Sequence, residues 1–407
     1  MSRSRFGRSC LYGALLAASA GAAHAGETDP AFEVYGAVQL DYIQNFRRAD
    51  PDWTAALRPS RIPTTKGQFG SDGEATLSAR QTRFGVRASA PAGSQALTSQ
   101  FEFDLFGVGD DAGKTTFRLR HAWASWGPLL AGQTNSLFMD ADLFPNVVDY
   151  WGPTGMVFVR NPQIRLTFVD RSGFKLAVAI ETPNTDIDVG QIREIDPDLG
   201  ANLRDVTPLP DVTAQARYVG DWGHVQLSGL LSKLAAETIG TPDNRPRASR
   251  LGWGLNLGTS FNISSATTLR AGVVYGHGIA SYMNDGGTDL APRTVAVGPG
   301  LALGLEPEAV PLLGIIAYVD HRWSKTLTSA LGYSMTRVKN TNFQTGAAYH
   351  KGEYASGNVL WEPMRNLLVG GEVMYGKRTD NNGASGDDIR TQLTFKASFS
   401  SNDLKPR

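Results

Sequence analysis

Apolar and polar residues alternate one by one along much of this chain. The runs FEVYGAVQLDY at residues 32–42 and IRTQLTFKASF at residues 389–399 show the pattern clearly. A period of two residues is that of a β-strand with one apolar face and one polar face. Sixteen segments of about ten residues follow this pattern, and together they predict an all-β protein. The segments lie at residues 32–42, 76–89, 95–106, 116–126, 129–137, 163–170, 173–181, 211–220, 223–233, 250–262, 266–279, 313–323, 325–338, 347–361, 364–376 and 389–399.

The connections between these segments alternate between short and long. The short ones are runs such as APAG, GPL, RSG, GDW, SSA, WSK and EPMRN. The long ones span residues 44–75, 107–115, 138–162, 182–210, 234–249, 280–312, 339–346 and 377–388. Tight turns at one end and long loops at the other, on an even number of strands, are typical of an outer-membrane barrel, and a soluble sandwich gives no reason for this separation. The sequence therefore predicts a 16-stranded antiparallel transmembrane β-barrel.

The two faces of such a barrel meet different solvents. Lipid cannot satisfy backbone N–H and C=O groups, so a spanning sheet has to close on itself. We expect the apolar side chains to face lipid and the polar ones to face a lumen that sixteen strands leave open to water. Aromatic residues near the strand ends fit interfacial girdles, although they could also pack in an ordinary β core. These residues are Tyr42, Trp126, Trp222, Trp323 and Trp361.

The connection after the fifth segment is unusually apolar. Residues 132–168 read GQTNSLFMDADLFPNVVDYWGPTGMVFVRNPQIRLTF, and they begin and end as strand. So long a connection is uncommon in a compact domain unless it has a function. Its runs LFPNVV and MVFV would be poorly placed in water, whereas inside the lumen they can pack against the wall. We therefore predict an inward-folded constriction loop; the alternative is an ordinary surface loop.

Several basic side chains fall on the polar face of the predicted strands. They are Arg83, Arg87, Arg118, Arg120, Arg165, Lys175, Arg217 and Arg270. Opposite charges about 4 Å apart attract with roughly 4 kcal/mol at an effective dielectric of about 20, but salt screens them beyond about 8 Å. Beside a narrow eyelet these cations would attract carboxylates, and Asp149 of the connection would face them across the gap. Alternatively, the arginines pair with nearby acids and stiffen the wall.

The first 25 residues have the features of a secretory signal peptide. Arg3, Arg5 and Arg8 precede the apolar run LYGALLAASAGAA, and the following AHA fits a cleavage site. The single cysteine lies in this segment, so we expect the mature chain to have neither disulfides nor thiolate metal sites. The 39 basic and 39 acidic residues balance, and losing three arginines leaves a small negative charge, which argues against a nucleic-acid partner.

These features predict a division of the chain into a signal peptide at residues 1–25, a barrel domain at 26–400 and a short tail at 401–407. No cofactor or metal site is predicted, because the histidines beyond the signal segment are scattered without metal-ligand spacing. The partners expected from the pattern are outer-membrane lipid and small solutes.

Part of the sequence resembles a known family. The runs ARQTRFGV, FRLRHAWASWGPLLAGQTNSLFMD, PNVVDYWGPTG and RNPQIRLTF, within residues 79–168, resemble the DcaP-like family of Gram-negative outer-membrane porins. The resemblance implies a trimeric channel that takes up small anions, notably dicarboxylates and aromatic acids such as phthalates. It also implies lumenal roles for a set of residues in this chain. The set is Arg80, Arg83, Arg118, Arg120 and Arg165, with Asp149 and Tyr150 of the connecting loop.

The chain departs from that family pattern at two places. Some members carry a helical coiled coil before the barrel, whereas only GETDP stands between the signal segment and the first predicted strand here. Barrels of this kind also usually end on an aromatic residue, whereas Phe399 is followed by SSNDLKPR.

Three functions are compatible with the sequence. A channel for small organic anions fits the lumenal arginines and is the function that we favour. An enzyme on a barrel scaffold would need a nucleophile beside a base, and neither a G-x-S-x-G nor an H-E-x-x-H motif occurs. An adhesin or receptor would act through the long loops at residues 44–75 and 280–312.

Overall fold

A computed structural model describes residues 30–70, 72–297 and 302–404. Within these residues the chain forms a closed antiparallel barrel of sixteen strand positions, which confirms the predicted fold class. The barrel closes where the first strand pairs with the last, from Tyr35 opposite Ser400 to Asn45 opposite Arg390. The predicted signal peptide lies outside the described residues.

The described residues contain twenty strands, numbered here in chain order. They are β1 (Ala31–Asn45), β2 (Glu74–Ser78), β3 (Arg83–Ala92), β4 (Gln95–Phe106), β5 (Thr115–Trp126), β6 (Leu129–Asn135), β7 (Arg160–Arg171), β8 (Phe174–Glu181), β9 (Leu203–Val206), β10 (Asp211–Gly220), β11 (Gly223–Thr238), β12 (Arg247–Asn262), β13 (Thr267–His277), β14 (Leu290–Val297), β15 (Ala302–Ala309), β16 (Pro311–Arg322), β17 (Leu327–Val338), β18 (Tyr349–Met364), β19 (Leu367–Asp380) and β20 (Ser385–Ser400).

Helical segments in the same part of the chain are short and lie in the connections and in the tail. The α-helical ones are α1 (Ile192–Ile195) and α2 (Pro197–Asn202), and the 3-10 turns are Pro51–Trp53, Pro59–Arg61, Gly109–Asp111, Ala141–Leu143, Pro242–Asn244, Ala280–Tyr282 and Ser401–Leu404. Among the described residues, no helix has the length and apolar content that a membrane crossing requires.

The strands differ from the predicted segments in three places. The second segment is interrupted, because β2 and β3 both pair with β1 and a turn closed by the Thr82 N–H to Ala79 C=O hydrogen bond separates them. The 182–210 connection contains α1, α2 and β9, which pairs with the end of β11. The 280–312 connection contains the β14–β15 hairpin.

The two faces of the wall follow the predicted alternation. On β5, Phe117 is 76% exposed and Leu119 is 42% exposed on the outside, whereas Arg120 is buried within the barrel. The five aromatic residues assigned to the girdles are all exposed, so the alternative of an ordinary β core is wrong for them. The apolar outer face and polar inner face are what a wall between lipid and water requires.

The tail after Phe399 packs against one end of the barrel. The Ser401 hydroxyl accepts a hydrogen bond of 3.0 Å from the Val34 N–H. The Asp403 carboxylate lies 2.6 Å from the Arg365 guanidinium in the short turn between β18 and β19. The described part of the tail, to Leu404, therefore continues the barrel end as a folded turn.

Candidate functional site: the lumen and its insert

Residues 136–159, called the insert here, fold into the barrel between β6 and β7. Apolar side chains of the insert are buried in two clusters that include wall residues. Wall side chains on β11, β12, β17, β18, β19 and β20 hydrogen-bond to its backbone. These contacts place the insert across the lumen, as expected for a constriction loop, and the surface-loop alternative is wrong.

One glycine lets the insert approach the wall very closely. The Gly155 N–H donates to the Ser334 hydroxyl of β17 at 2.7 Å. A Cβ at Gly155 would collide with the backbone carbonyl oxygens of Ile315 and Met335 on β16 and β17. The absence of a side chain at this position is therefore what allows backbone to lie on backbone.

Three of the predicted lumenal arginines meet on neighbouring strands. Arg118 on β5 binds the Asp104 carboxylate of β4 through hydrogen bonds of 3.2 and 2.8 Å. Arg120 reaches both β4 carboxylates, Glu102 at 2.7 Å and Asp104 at 2.8 Å. Arg83 on β3 lies 3.5 Å from Glu102. These five side chains are called the arginine cluster, in which three guanidinium groups share two carboxylates.

The members of the arginine cluster differ in what they offer to a solute. The Arg120 side chain is 2% exposed, whereas those of Arg83 and Arg118 are 21% and 19% exposed. Both carboxylates are buried. The pairing alternative is thus correct for Arg120, while Arg83 and Arg118 keep part of their surface open.

Tyr150 of the insert completes the arginine cluster. Its hydroxyl donates to Asp104 and accepts from Arg120 at 3.0 Å. Its ring stacks on Phe106 with a centroid distance of 3.8 Å and lies 5.1 Å from the Arg118 guanidinium carbon. The insert therefore places an aromatic ring directly beside the partly exposed Arg118.

Asp149, the neighbour of Tyr150, does not face the arginine cluster, so the role predicted for it needs correction. Its carboxylate is buried and accepts hydrogen bonds from the Leu57 N–H at 3.1 Å and the Gly152 N–H at 3.0 Å. The Tyr354 hydroxyl donates to it at 3.2 Å. Burial raises the pKa of this carboxyl, while nearby Arg390 acts in the opposite direction. Asp149 holds the insert in place instead of setting a field across the lumen.

Three other predicted residues are bound by their own neighbours. Arg80 is buried, donates to the Gly107 carbonyl at 2.8 Å and lies over the Phe106 ring. Arg87 pairs with Glu33 at 3.4 Å, and Arg165 donates to the Asn135 carbonyl at 2.6 Å. The structure therefore places these three arginines outside the arginine cluster.

Two basic residues lie near the arginine cluster that the sequence analysis did not assign to the site. Arg160 follows the insert, lies over the Phe158 ring and has a buried Nε without a hydrogen-bond partner among the described residues. Arg160 lies before the predicted segment at residues 163–170, so alternation assigned no face to it. Lys396 on β20 is close enough to be affected by the charges of Arg83 and Arg120. Alternation places Lys396 on the polar face, so the sequence carried that signal.

Two further predicted arginines hold the other side of the insert. Arg217 bonds to Asp140 at 3.1 Å and also to Asp142, while His224 lies 2.7 Å from Asp140. Arg270 donates to the Asp142 carbonyl and pairs with Asp320 at 2.6 Å. Asp140, Asp142 and His224 come close enough to hold a metal ion, but Arg217 already binds both carboxylates. The group therefore serves as an anchor for the insert.

The insert also joins two other long connections through a contact called the three-loop latch. The Arg58 guanidinium lies 4.2 Å from the Trp53 ring centroid and 4.5 Å from that of Trp151. It donates to the buried Asp285 carboxylate from Nε at 3.1 Å and from a terminal nitrogen at 2.9 Å. Asn284 and Trp151 exchange two hydrogen bonds of 2.6 Å. Residues from three connections are thereby fixed to one another inside the barrel end.

Replacing Arg58 by alanine is expected to lower the free energy of unfolding by about 3 kcal/mol, because it leaves the buried Asp285 carboxylate without its guanidinium. The emission of Trp53 and Trp151 should change as well, since both rings lose the cation between them. Arg61→Ala is the matched control, because Arg61 is an exposed arginine of the same connection. Thermal unfolding in detergent with tryptophan fluorescence checks this, and equal behaviour of the two variants would contradict it.

Comparison with known families decides the class of this barrel. A family model described as DcaP outer membrane protein matches residues 23–291, more than half of the chain. The chain belongs to the DcaP outer membrane protein family. The DcaP family and the barrel fold together place the protein in the outer membrane of a Gram-negative bacterium, as predicted.

Solved structures share the fold of this DcaP-family chain. The outer membrane channel DcaP of Acinetobacter baumannii is 22% identical, with 93% of this chain and 100% of that one covered and a TM-score of 0.75. The anion-selective porin from Comamonas acidovorans is 10% identical, with 91% and 100% covered and a TM-score of 0.58. The trimer form of OmpT from Vibrio cholerae is 11% identical, with 91% and 100% covered and a TM-score of 0.53. Comparison with curated protein sequences found no match.

Proposed function

We propose that this DcaP-family barrel is a water-filled channel that prefers small organic anions, above all dicarboxylates and aromatic acids. The observation that carries the proposal is the arginine cluster, where three guanidinium groups share two carboxylates. This arrangement leaves an excess of positive charge, and Arg160 and Lys396 are further basic residues close to it. The insert narrows the lumen beside this positive charge. A passing carboxylate therefore comes so close to the arginines that dissolved salt screens their attraction only weakly.

The geometry suits carboxylates more than other anions. A guanidinium group offers parallel N–H donors that match the two oxygens of a carboxylate. Arg83 and Arg118 lie on strands separated by β4, so their exposed parts can engage different ends of one small dianion. The Tyr150 ring beside Arg118 supplies an aromatic surface for an aromatic acid. These contacts support dicarboxylates and aromatic acids as the solute class.

The known structures add support for the ion preference and the assembly. A porin of the same fold from Comamonas acidovorans is anion-selective, and OmpT of Vibrio cholerae has a trimer form. We propose by analogy that three copies of this chain form a homotrimer. The long loops that an adhesin would use contribute buried residues to the three-loop latch, which favours a channel over an adhesin.

Recording in planar bilayers tests the proposal. In a gradient of potassium chloride, the reversal potential should have the sign of an anion-preferring channel. Succinate and phthalate should then reduce the chloride current at lower concentrations than acetate, because a dianion engages both exposed arginines. A cation-preferring reversal potential would overturn the anion preference. Equal effects of succinate and acetate would overturn the proposed solute class.

A further inference from the structure

The outer face of β17, β18 and β19 carries a group of basic side chains near the long-loop end. The group is Arg337, Lys339, Lys351 and Lys377, called the basic patch here. Alternation fixes their direction, since the neighbours Thr336, Gly352 and Gly376 are buried on the inner face. On the same outer face, Tyr333, Val359 and Tyr375 are exposed. The basic patch therefore faces away from the lumen.

Like charges lie directly opposite each other in the basic patch. Arg337 on β17 is in register with Lys351 on β18. Directly opposed like charges destabilise a pair of strands unless a counter-charge lies between them. The carboxylate beside this pair is Glu353, which lies 3.0 Å from the Lys351 ammonium and accepts from the Tyr333 hydroxyl at 2.8 Å.

The acids near the basic patch do not balance it. Lys377 is in register with Glu353 on one side and with Asp387 on the other. Two carboxylates thus stand near four basic groups. Within the described part of the chain, Arg337, Lys339 and Lys377 have no carboxylate oxygen within 4.0 Å. The basic patch therefore keeps an excess of positive charge that attracts an anion from outside the protein.

The position of the basic patch indicates where that anion comes from. Tyr333 and Tyr375 are exposed just below it, and exposed tyrosines on a barrel mark the membrane interface. Lys377 lies two residues beyond Tyr375, and Arg337 and Lys339 lie four and six residues beyond Tyr333, towards the connections that follow β17 and β19. This is the level of the lipid headgroups, where basic side chains recognise anionic groups.

We propose that the basic patch binds the phosphate groups of an anionic lipid in the outer leaflet of the membrane. The Arg337 guanidinium and the Lys377 ammonium would contact phosphate oxygens, and the acyl chains would lie along the apolar face below Tyr333 and Tyr375. The site is outside the lumen and is independent of the proposed ion preference. Bound lipid would also remove the repulsion between Arg337 and Lys351.

Native mass spectrometry of the detergent-solubilised protein with added lipid A, which carries two phosphates, tests the site. The triple variant Arg337→Gln, Lys351→Gln, Lys377→Gln should bind lipid A about 100-fold more weakly, since each basic side chain near an anionic lipid contributes roughly fivefold. The control variant Arg171→Gln, Arg322→Gln, Lys325→Gln loses the same charge at the short-turn end and should bind as the wild type does. Equal weakening in both variants would overturn the site.

Two further comparisons identify the source of the phosphate and the fold of the variant. Lipid A without phosphates should bind the wild type as weakly as intact lipid A binds the triple variant. If the wild type bound both lipids with the same affinity, the acyl chains alone would be recognised, and the proposal would be overturned. Inorganic phosphate that displaces lipid A at equal concentration would overturn a lipid site. The triple variant should keep the wild-type reversal potential in bilayers. That result would show that its barrel is intact, and that loss of lipid binding does not depend on the proposed ion preference.

Discussion

Replacing both Arg83 and Arg118 by glutamate is expected to turn an anion-preferring channel into a cation-preferring one. Each substitution changes a positive charge into a negative one in the arginine cluster, while Glu102 and Asp104 remain. Negative charge would then dominate the passage beside the insert, where the low local dielectric makes charge effective. The measurement is the reversal potential in a potassium chloride gradient, which should change sign.

Two variants show whether the effect comes from the arginine cluster itself. Arg83→Gln with Arg118→Gln leaves one guanidinium with two carboxylates, a smaller negative excess than the glutamate variant has, so its reversal potential should lie between those of the wild type and the glutamate variant. Arg193→Glu with Arg293→Glu makes the same charge change at exposed residues of two long connections and should leave the reversal potential near that of the wild type. If the loop variant reversed the preference equally, overall charge and not the arginine cluster would be responsible.

Replacing Asp149 by alanine is expected to destabilise the protein and to loosen the insert. The substitution leaves the N–H groups of Leu57 and Gly152 and the Tyr354 hydroxyl without their acceptor in a buried environment. Each unsatisfied buried donor costs roughly 1–3 kcal/mol, so a loss of at least about 3 kcal/mol is expected. Thermal unfolding in detergent measures the stability, and single-channel current should become larger and noisier.

Asp149→Asn retains one oxygen acceptor and should have an intermediate stability. Asp52→Ala removes an exposed carboxylate from the first long connection and should leave both stability and current unchanged. A quiet, wild-type current from Asp149→Ala would mean that the other wall contacts, such as Glu372 with the Val148 N–H at 2.6 Å, are sufficient to hold the insert.

The wall of this barrel is predictable because its physical determinants are local. A strand between lipid and water needs alternating side chains, so Phe117 and Leu119 on one face and Arg118 and Arg120 on the other follow directly from sequence order. The β14–β15 hairpin was not predicted because its strands pair with each other and not with the strands of the barrel wall. Its residues do not separate lipid from water, so they need not alternate between apolar and polar.

The site was predictable only in part, because its contacts join distant parts of the chain. Alternation places Arg83, Arg118 and Arg120 on the inner face, but it cannot tell that two carboxylates of β4 would bind all three. The direction of Asp149 depends on Leu57, a residue of another connection that lies beside it only in the folded barrel. The sequence of an irregular connection has no repeating pattern of apolar and polar residues from which such a contact can be inferred.

The anchoring of the insert has a consequence for the order in which the protein assembles. Its Val148 carbonyl accepts a hydrogen bond from Gln392, which is 244 residues later in the chain and belongs to the closing strand. Contacts that span so much sequence cannot form before their partners are in place. The insert therefore cannot complete its contacts before the closing strand is in place, and defects in its seating should leave membrane integration intact.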